Sequence, residues 1–364
     1  MKIILTLLSL FFISATSFSQ SNYYVTGKVI STETSLPLQG ASVFAQNTTI
    51  GTATDADGNF KLWLPNGGYD LVVTFTGHNT ESRRVSTGDA DNKNIFFQLK
   101  HKEKEMMEVS VMATSEVKDG WQKYGPFFLD EFIGKTANSK NCTIKNPEVL
   151  KFYFSKKRNR LKVLATEPLQ IENKSLGYKI KYALDSFTHE YTSEISLYTG
   201  FPLYEEMVAK DSAQQLQWNL ARQQAYKGSV LHFMRSVYNK NLKEQGFEIQ
   251  FIIKTENRQS AFLLKDPYAA LQYRKDDSTN TVEILPNQND VGVLYTKEKP
   301  AADFVKLNPG EPVDFQFSVL SFLLKQSIII EQNGYYFEQN ELSVSAYWSW
   351  DKVADALPYD YVPL

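Results

Sequence analysis

Short runs in which apolar and polar side chains alternate make up the first part of the chain. In residues 23–100 these runs are YVTGKVI, ASVFAQ, GTATD, NFKLWLP, YDLVVTFTG, ESRRVS and NIFFQLK, separated by turn-forming residues. Alternation puts every second side chain on one face of a strand, and this part of the sequence shows no helical period. The pattern predicts a seven-stranded all-β sandwich, with one strand for each run.

The stretch GTATDADGNFKL, residues 51–62, has the acidic residues of a calcium loop and the glycine of a tight turn. A helix-loop-helix calcium site starting at Asp55 needs Gly where this chain has Phe60, and a bidentate Glu where it has Asn66. The turn is favoured, because Gly58 adopts a positive φ at little cost and Asp55 can accept hydrogen bonds from nearby backbone amides. The strand that follows has its apolar side chains at alternate positions: Phe60, Leu62 and Leu64.

Helical and strand periods are mixed in the rest of the chain. Residues 117–138 carry aromatic side chains in a pattern that predicts a helix with a core-facing stripe, and residues 150–202 are rich in strand runs. In LGYKIKYALDSF, residues 176–187, apolar side chains alternate with lysines, which is typical of a half-buried antiparallel strand. The side chains on the predicted buried face are Tyr178, Ile180, Tyr182 and Leu184.

Two helices are predicted within residues 211–241. Asp211 and Ser229 are suitable N-cap residues for the first and second helix, and Gly228 is suited to end the first.

A candidate ligand-binding set lies on the first of these helices. Trp218, Arg222 and Tyr226 are spaced by four residues and therefore share a face. An arginine between aromatic rings can bind an acidic or sugar ligand by charge and stacking. The same residues can instead pin the helix to a sheet, and this second interpretation is favoured.

Strand runs resume at residue 247 and continue almost to the end of the sequence. The Asn333-Gly334 pair predicts a hairpin turn. The segment KVADALP, residues 352–358, is predicted to form a short helix. Residues 117–364 are thus predicted to be a larger α+β domain, mainly antiparallel.

Composition narrows the class of protein. Charged residues are 22% and hydrophobic residues 42% of 364 residues, which indicates a folded protein long enough for two domains. The formal net charge is −2, so the chain has no broad basic field and nucleic acid is not an expected partner.

The N-terminus has the pattern of a secretory signal. Lys2 precedes the apolar run of residues 3–15, and small residues lead to a predicted cleavage between Ser19 and Gln20. We therefore predict that residues 1–19 are a signal peptide. The sequence predicts no transmembrane helix in the mature chain.

Cys142 is the one cysteine of the sequence, so no intrachain disulfide is expected. A nucleophilic cysteine needs a neighbouring base or cation to lower its pKa, and NCTIKNPEVL offers Lys145 but no histidine. A buried apolar role is therefore favoured over a catalytic one.

The segment VTGKVISTETSLPLQGASVFAQNTTIGTATDADGNFKLWLPNGGYDLVVTFTGH, residues 25–78, resembles the carboxypeptidase regulatory-like domain. The matching elements are Gly27, Leu38-x-Gly40-Ala41-x-Val43, Gly51-Thr52-x-Thr54-Asp55-x-x-Gly58-x-Phe60, and the turn from Pro65 to Tyr69. The implied domain, residues 23–100, covers about a fifth of the chain. The resemblance implies a transthyretin-like sandwich at residues 23–100 that is an accessory, non-catalytic module common in envelope proteins of Bacteroidetes.

Peptidase activity does not follow from that family name. A zinc carboxypeptidase needs His and Glu at short spacing and a later His, and none of the histidines starts such a motif: His78, His101, His189 and His232. A Gly-rich phosphate loop and a nucleophile elbow are also missing from the sequence. We predict no metal, no cofactor and no identifiable catalytic residue.

Residues 101–116 begin with mixed charges and are predicted to be a linker. Their second half resembles the strand that follows the same sandwich in TonB-dependent outer-membrane receptors. About 250 residues remain after it and they contain the predicted helices, so length and pattern do not favour such a receptor.

The remainder, residues 117–364, resembles the C-terminal region of Bacteroidetes envelope proteins that carry the same sandwich. The similar stretches include WNLARQQAYKGSVLHFMRS and WSWDKVADALPYDYVPL. The resemblance implies a location and an architecture, but it assigns no site.

Three hypotheses about function remain open. The favoured one is a non-enzymatic envelope protein, periplasmic or outer-membrane associated after secretion across the inner membrane, whose sandwich docks and whose larger domain binds a protein or glycan. The alternative is a periplasmic hydrolase of glycan or peptide, which would use paired carboxylates that sequence spacing cannot identify; examples are Glu172, Asp185, Glu190 and Glu194. A protein crossing the outer membrane with strands is disfavoured by the predicted helices.

Overall fold

The computed structural model describes residues 22–101, 116–255, 258–322, 326–337 and 342–363. The predicted signal peptide, residues 1–19, lies outside these ranges, as does most of the predicted linker.

Residues 22–99, called the sandwich below, form two sheets. Their strands are β1 (Asn22–Ser31), β2 (Ser42–Ala45), β3 (Gly51–Ala53), β4 (Asn59–Pro65), β5 (Gly68–Thr74), β6 (Glu81–Ser86) and β7 (Ile95–Leu99). One sheet has the order β4-β1-β7, with β1 and β7 parallel, and the other has the antiparallel order β3-β2-β5-β6. A short 3-10 helix, Ala90–Asn92, precedes β7.

The predicted turn before β4 is confirmed. Gly58 has φ +75°, and a Cβ at this position would lie 2.5 Å from the carbonyl oxygen of Val29. One carboxylate oxygen of Asp55 accepts hydrogen bonds from the backbone N–H groups of Asp57 and Asn59 at 3.0 and 2.8 Å. Asp55 is thus used by the backbone of the turn, and the predicted core-facing residues of β4 are buried.

The larger region, residues 116–363, begins with a helix and an antiparallel sheet. The helix is α1 (Gly120–Phe132), and the strands are β8 (Cys142–Ile144), β9 (Leu150–Ser155), β10 (Arg160–Ala165), β11 (Leu169–Asn173), β12 (Tyr178–Glu190) and β13 (Ile195–Glu206). Along one edge β12 pairs with β13, and along the other it pairs first with β11 and then with β10. The predicted buried face of β12 is confirmed.

Helices and a second set of sheets follow. The helices are α2 (Ser212–Tyr226), α3 (Val230–Tyr238), α4 (Leu242–Gln245), α5 (Pro267–Ala270) and α6 (Ala302–Leu307). The strands are β14 (Phe247–Thr255), β15 (Arg258–Leu263), β16 (Arg274–Asp276), β17 (Thr281–Ile284), β18 (Asp290–Tyr295), β19 (Gln316–Phe322), β20 (Ile328–Ile330) and β21 (Leu342–Ala346). They form sheets of order β15-β14-β18-β19-β21 and β16-β17-β20. Further 3-10 helices are Asn138–Asn141, Pro147–Val149 and Tyr347–Ser349.

Buried apolar side chains of the described ranges fall into three clusters. One lies between the sheets of the sandwich, one between α1 and the sheet around β12, and one around α3 and the sheet that contains β18. The predominantly β, antiparallel character is therefore confirmed, and the larger region contains two of these clusters. The division of the chain into domains stays a prediction.

Local signals in the sequence have mixed outcomes. The carboxylate of Asp211 accepts the N–H of Gln214 at 2.8 Å, and the Ser229 hydroxyl accepts the N–H of His232 at 3.1 Å, so both predicted caps are confirmed. The prediction of a helix in residues 352–358 is wrong. The N–H groups of Val353 and Ala354 instead donate to carbonyl groups at the end of α1, which holds this segment in a turn.

Candidate functional site: a cleft between the sandwich and the larger region

The predicted set on α2 is brought together but is buried. Arg222 is 5% exposed, and Trp218 and Tyr226 are also buried. The Arg222 guanidinium lies 4.0 Å from the centroid of the Tyr178 ring. It donates to the carbonyl oxygens of Leu176 and Gly177 at 2.7 and 3.2 Å.

The remaining donors of this set also meet groups of the protein. Arg222 forms an ion pair with Glu206 at 3.0 Å, and the indole N–H of Trp218 donates to the carbonyl oxygen of Lys174 at 2.8 Å. These contacts favour the interpretation that Trp218 and Arg222 hold α2 against the loop between β11 and β12. Ligand binding by Trp218, Arg222 and Tyr226 stays a prediction.

Two other residues weighed for chemistry are buried. Burial raises the pKa of the Cys142 thiol to about 12, so the thiolate needed for nucleophilic attack is disfavoured. Nδ1 of His232 accepts the N–H of Gly228 at 3.1 Å, and its Nε2 lies 3.0 Å from the side-chain oxygen of Gln245. Burial lowers the pKa of His232, which agrees with a neutral ring in a structural position.

A turn of the sandwich fits into the larger region. This turn joins β2 to β3, and its backbone forms hydrogen bonds with β13 and the C-terminal segment: Asn47 N–H to Pro202, Tyr204 N–H to Thr48, and Tyr359 N–H to Asn47. The Asp360 carboxylate accepts the Thr49 N–H at 3.0 Å and also the Thr49 hydroxyl. Burial raises the pKa of Asp360 although these hydrogen bonds oppose the shift.

A second contact involves β5, β6 and the turn at residues 331–334. Arg84 of β6 forms an ion pair at 2.8 Å with Glu331, which is 1% exposed. The Arg84 guanidinium also lies 3.0 Å from the centroid of Phe337. Asp70 of β5 accepts a hydrogen bond from the Tyr335 hydroxyl at 2.5 Å. These contacts hold the sheet of β5 and β6 against the larger region.

Between these contacts lies a cleft of about 920 Å³. The sandwich contributes Asp70, Ser82 and Arg84 to its walls. The larger region contributes aromatic side chains, among them Tyr182, Tyr198, Phe201, Tyr335, Trp348 and Tyr359. It also contributes the charged side chains of Asp185, Asp351, Lys352 and Asp355.

The carboxyl groups near the C-terminus are the chemically unusual part of this cleft. Burial raises the pKa of Asp351 well above its ordinary value, and the charge of Asp355 raises it further. Asp355 accepts hydrogen bonds from the Thr136 hydroxyl and the Asn138 amide at 2.8 Å each, yet burial also raises its pKa. Burial lowers the pKa of Lys352. Titratable groups with displaced pKa values in a cleft are typical of functional sites.

Sequence reasoning missed Asp351 and Asp355. Of the carboxylates that it offered, Asp185 lines the cleft, where it accepts the Thr199 hydroxyl at 3.0 Å. The others have partners elsewhere: Glu172 forms ion pairs with Lys145 and Lys174, Glu190 forms one with Arg160, and a carboxylate oxygen of Glu194 lies 3.7 Å from Nε2 of His189. A pattern that could have indicated these two residues is the alternation of acidic and aromatic residues in WSWDKVADALPYDYVPL.

Within the described ranges, no group of three or more His, Cys, Asp or Glu side chains is arranged to hold a metal ion. No helix of those ranges has the length and apolar character needed to span a membrane.

Comparisons with known proteins agree with the sandwich. Over 118 residues the chain is 34% identical to the TonB-dependent receptor SusC of Bacteroides thetaiotaomicron. This aligned segment is 32% of this chain and 11% of the receptor. The chain thus spans about a tenth of that receptor's length. A 9R-lipoxygenase from Cyanothece aligns with 60% of this chain and 48% of the lipoxygenase chain, at 8% sequence identity. The TM-score of 0.15 is too low to indicate a shared fold. Residues 25–111 match the family model of the CarboxypepD_reg-like domain, and this segment is such a domain.

Proposed function

We propose that this chain is a non-enzymatic protein of the bacterial cell envelope, secreted across the inner membrane and then periplasmic or outer-membrane associated. Its larger region binds a glycan in the cleft, and its sandwich is an accessory docking module. The CarboxypepD_reg-like domain and the partial similarity to SusC support the envelope location and a receptor-associated role.

The cleft is the observation that carries the binding proposal. Its volume of about 920 Å³ is in the range of pockets that hold small molecules and short oligomers. A folded protein partner needs a surface of roughly 800 Å² instead, so the cleft suits a glycan better. Tyrosine rings provide apolar area for sugar faces, and the polar groups of Asp185, Asp351 and Lys352 provide hydrogen-bond acceptors and donors for hydroxyl groups.

An oligosaccharide array followed by calorimetry on the best binder tests the proposal. Asp351→Asn is expected to weaken binding roughly tenfold, because the amide group presents a different set of hydrogen-bond donors and acceptors to the sugar hydroxyl groups than the carboxyl group does. Asp303→Asn is the matched control, since Asp303 is exposed on α6 and does not line the cleft. An array without a binder, or equal affinities for both variants and the unchanged protein, would contradict glycan binding in the cleft.

A hydrolase of glycan or peptide is the second candidate, and the pair of Asp351 and Asp355 favours it. A carboxyl whose pKa is raised keeps its proton at higher pH and can serve as a general acid, while a second carboxylate serves as base or nucleophile. Released products should then be found by mass spectrometry and should disappear in both Asp351→Asn and Asp355→Asn. Turnover that persists in the two variants would eliminate this candidate.

A further inference from the structure

The outward side of the sheet β4-β1-β7 carries large aromatic side chains in the open. Strand alternation places Tyr24, Trp63 and Phe96 on this side, opposite the core of the sandwich. Trp63 is 55% exposed, Phe96 51% and Tyr24 36%. Tyr24 and Trp63 are neighbours, with ring centroids 5.2 Å apart, and adjacent exposed apolar side chains mark interaction sites more often than isolated ones do. We call this surface the open face.

Lysines surround these rings. The ammonium nitrogen of Lys61 lies 4.7 Å from the centroid of Tyr24 and 5.4 Å from that of Trp63, and that of Lys93 lies 5.8 Å from Tyr24. Lys28 is paired in register with Phe96 on the neighbouring strand. Among the described residues, none of these three lysines has a carboxylate within ion-pair distance. The open face therefore combines apolar area with positive charge that no carboxylate of the described ranges neutralises.

We propose that the open face binds an acidic segment of a partner protein, whose carboxylates meet Lys28, Lys61 and Lys93 and whose apolar side chains cover the aromatic rings. This inference rests on the proposed docking role of the sandwich and gives that role a chemistry. Aromatic anchors within a charged rim are the usual composition of a protein interface. Charge complementarity selects the acidic partner.

Other occupants fit the geometry less well. A sugar stacks on the free face of a ring, but Lys61 lies over both Tyr24 and Trp63, and those two rings meet at 62° rather than forming a flat platform. A second copy that used the same surface would bring like charges together across a two-fold axis. A membrane surface is bound by amphipathic helices or lipid anchors, whereas this surface is one side of a three-stranded sheet on which Tyr24 and Trp63 are paired across neighbouring strands.

Synthetic peptides of equal length and aromatic content, with net charge varied from acidic through neutral to basic, test this proposal on the full chain. We expect affinity to increase with negative charge and to decrease with added salt, and the indole N–H signal of Trp63 to shift in NMR spectra. Lys61→Glu and Trp63→Ala should each weaken the acidic peptide roughly tenfold or more. Lys306→Glu and Leu220→Ala, at exposed positions on α6 and α2, are the matched controls and should leave binding unchanged.

Four results would overturn the proposal. The first is an affinity that is independent of peptide charge or higher for the basic peptide, and the second is an equal loss in the control variants. The third is binding to phosphatidylglycerol vesicles that Lys61→Glu abolishes while the acidic peptide does not compete. The fourth is a dimer in sedimentation experiments that Trp63→Ala dissociates. Asp351→Asn should leave peptide binding intact, so a failure of glycan binding in the cleft is recognised separately.

Discussion

The two outer faces of the sandwich differ in what they carry and in what covers them. On the sheet β3-β2-β5-β6, strand alternation places Phe44 and Val72 outward, and both are buried, at 3% and 0% exposure. On the sheet β4-β1-β7, the outward Trp63 and Phe96 are more than half exposed. We call the first surface the covered face, because it packs against the larger region, where Leu203 lies beside Gly51.

The two faces are suited to two kinds of contact. The covered face is held by directional bonds: backbone hydrogen bonds of the β2–β3 turn, Thr49 with Asp360, and Arg84 with Glu331. Such contacts require matched geometry and give a fixed arrangement within the chain. The open face offers aromatic area and lysine side chains beside it, which is the composition that we propose for contact with a separate partner. Variants on each face test this contrast.

Removal of the Arg84 side chain should have the largest effect. Arg84→Ala leaves Glu331 buried without its cation, and we expect a loss of about 2 to 3 kcal/mol in the free energy of unfolding. The value is below that for a fully buried pair because the Arg84 side chain is 40% exposed. Urea unfolding measures it, and Arg83→Ala is the control. Arg83 pairs with the exposed Asp91 at 3.8 Å, so it should cost under about 0.5 kcal/mol. Equal losses of unfolding free energy in Arg84→Ala and Arg83→Ala would contradict a stabilising role for the Arg84–Glu331 ion pair.

Asp360→Ala should have the next largest effect, about 1 to 2 kcal/mol, because the N–H and hydroxyl of Thr49 both lose their acceptor. The matched variant Thr49→Val removes the hydroxyl and keeps the backbone N–H, so it should cost less. Denaturant midpoints of the two variants decide the order. A smaller loss for Asp360→Ala than for Thr49→Val would contradict the assignment.

The free energy of unfolding should also depend on pH through Glu331, the ion-pair partner of Arg84 on the covered face. Burial raises the pKa of Glu331 despite the Arg84 ion pair, so the folded state binds this proton more tightly than the unfolded state. The stabilising contribution is present below the ordinary Glu pKa of about 4.3 and is lost as the pH rises through the folded-state pKa. His232, whose pKa is lowered, acts in the opposite direction and loses its contribution as the pH falls below about 6.5.

Denaturation at a series of pH values, on the unchanged chain and on Glu331→Gln, isolates the contribution of Glu331. The decline of unfolding free energy with rising pH should be shallower in the variant. Asp303→Asn should keep the slope of the unchanged chain. Parallel slopes for the unchanged chain and Glu331→Gln would refute this assignment.

Trp63→Ala should have the smallest effect on stability, within about 0.5 kcal/mol, because most of this side chain is already in contact with solvent. Thermal unfolding measures it beside Phe44→Ala on the covered face, which should cost several times more because Phe44 is buried. Comparable losses would mean that the two faces do not differ as described.

The predictions from sequence succeeded where the signal is local. The caps by Asp211 and Ser229 and the turn at Gly58 depend on residues within a few positions, so neighbouring letters contain the information. The helix predicted for residues 352–358 is wrong because the conformation of this segment depends on distant residues. The helical pattern of the segment is real, but the amides of Val353 and Ala354 find acceptors at the end of α1, more than 200 residues earlier.

The sequence alone predicts a β-sandwich with a resemblance to the CarboxypepD_reg-like domain, a larger and mainly antiparallel region, and the apolar sides of β4 and β12. Alternation cannot say which apolar side will be covered, so it could not distinguish Phe44 from Phe96. Tertiary packing sets which side is covered, brings Arg84 to Glu331 across 247 positions, and buries Asp351 beside Asp355. Burial and the pKa of a carboxyl depend on everything that packs around it, and those neighbours come from distant parts of the chain.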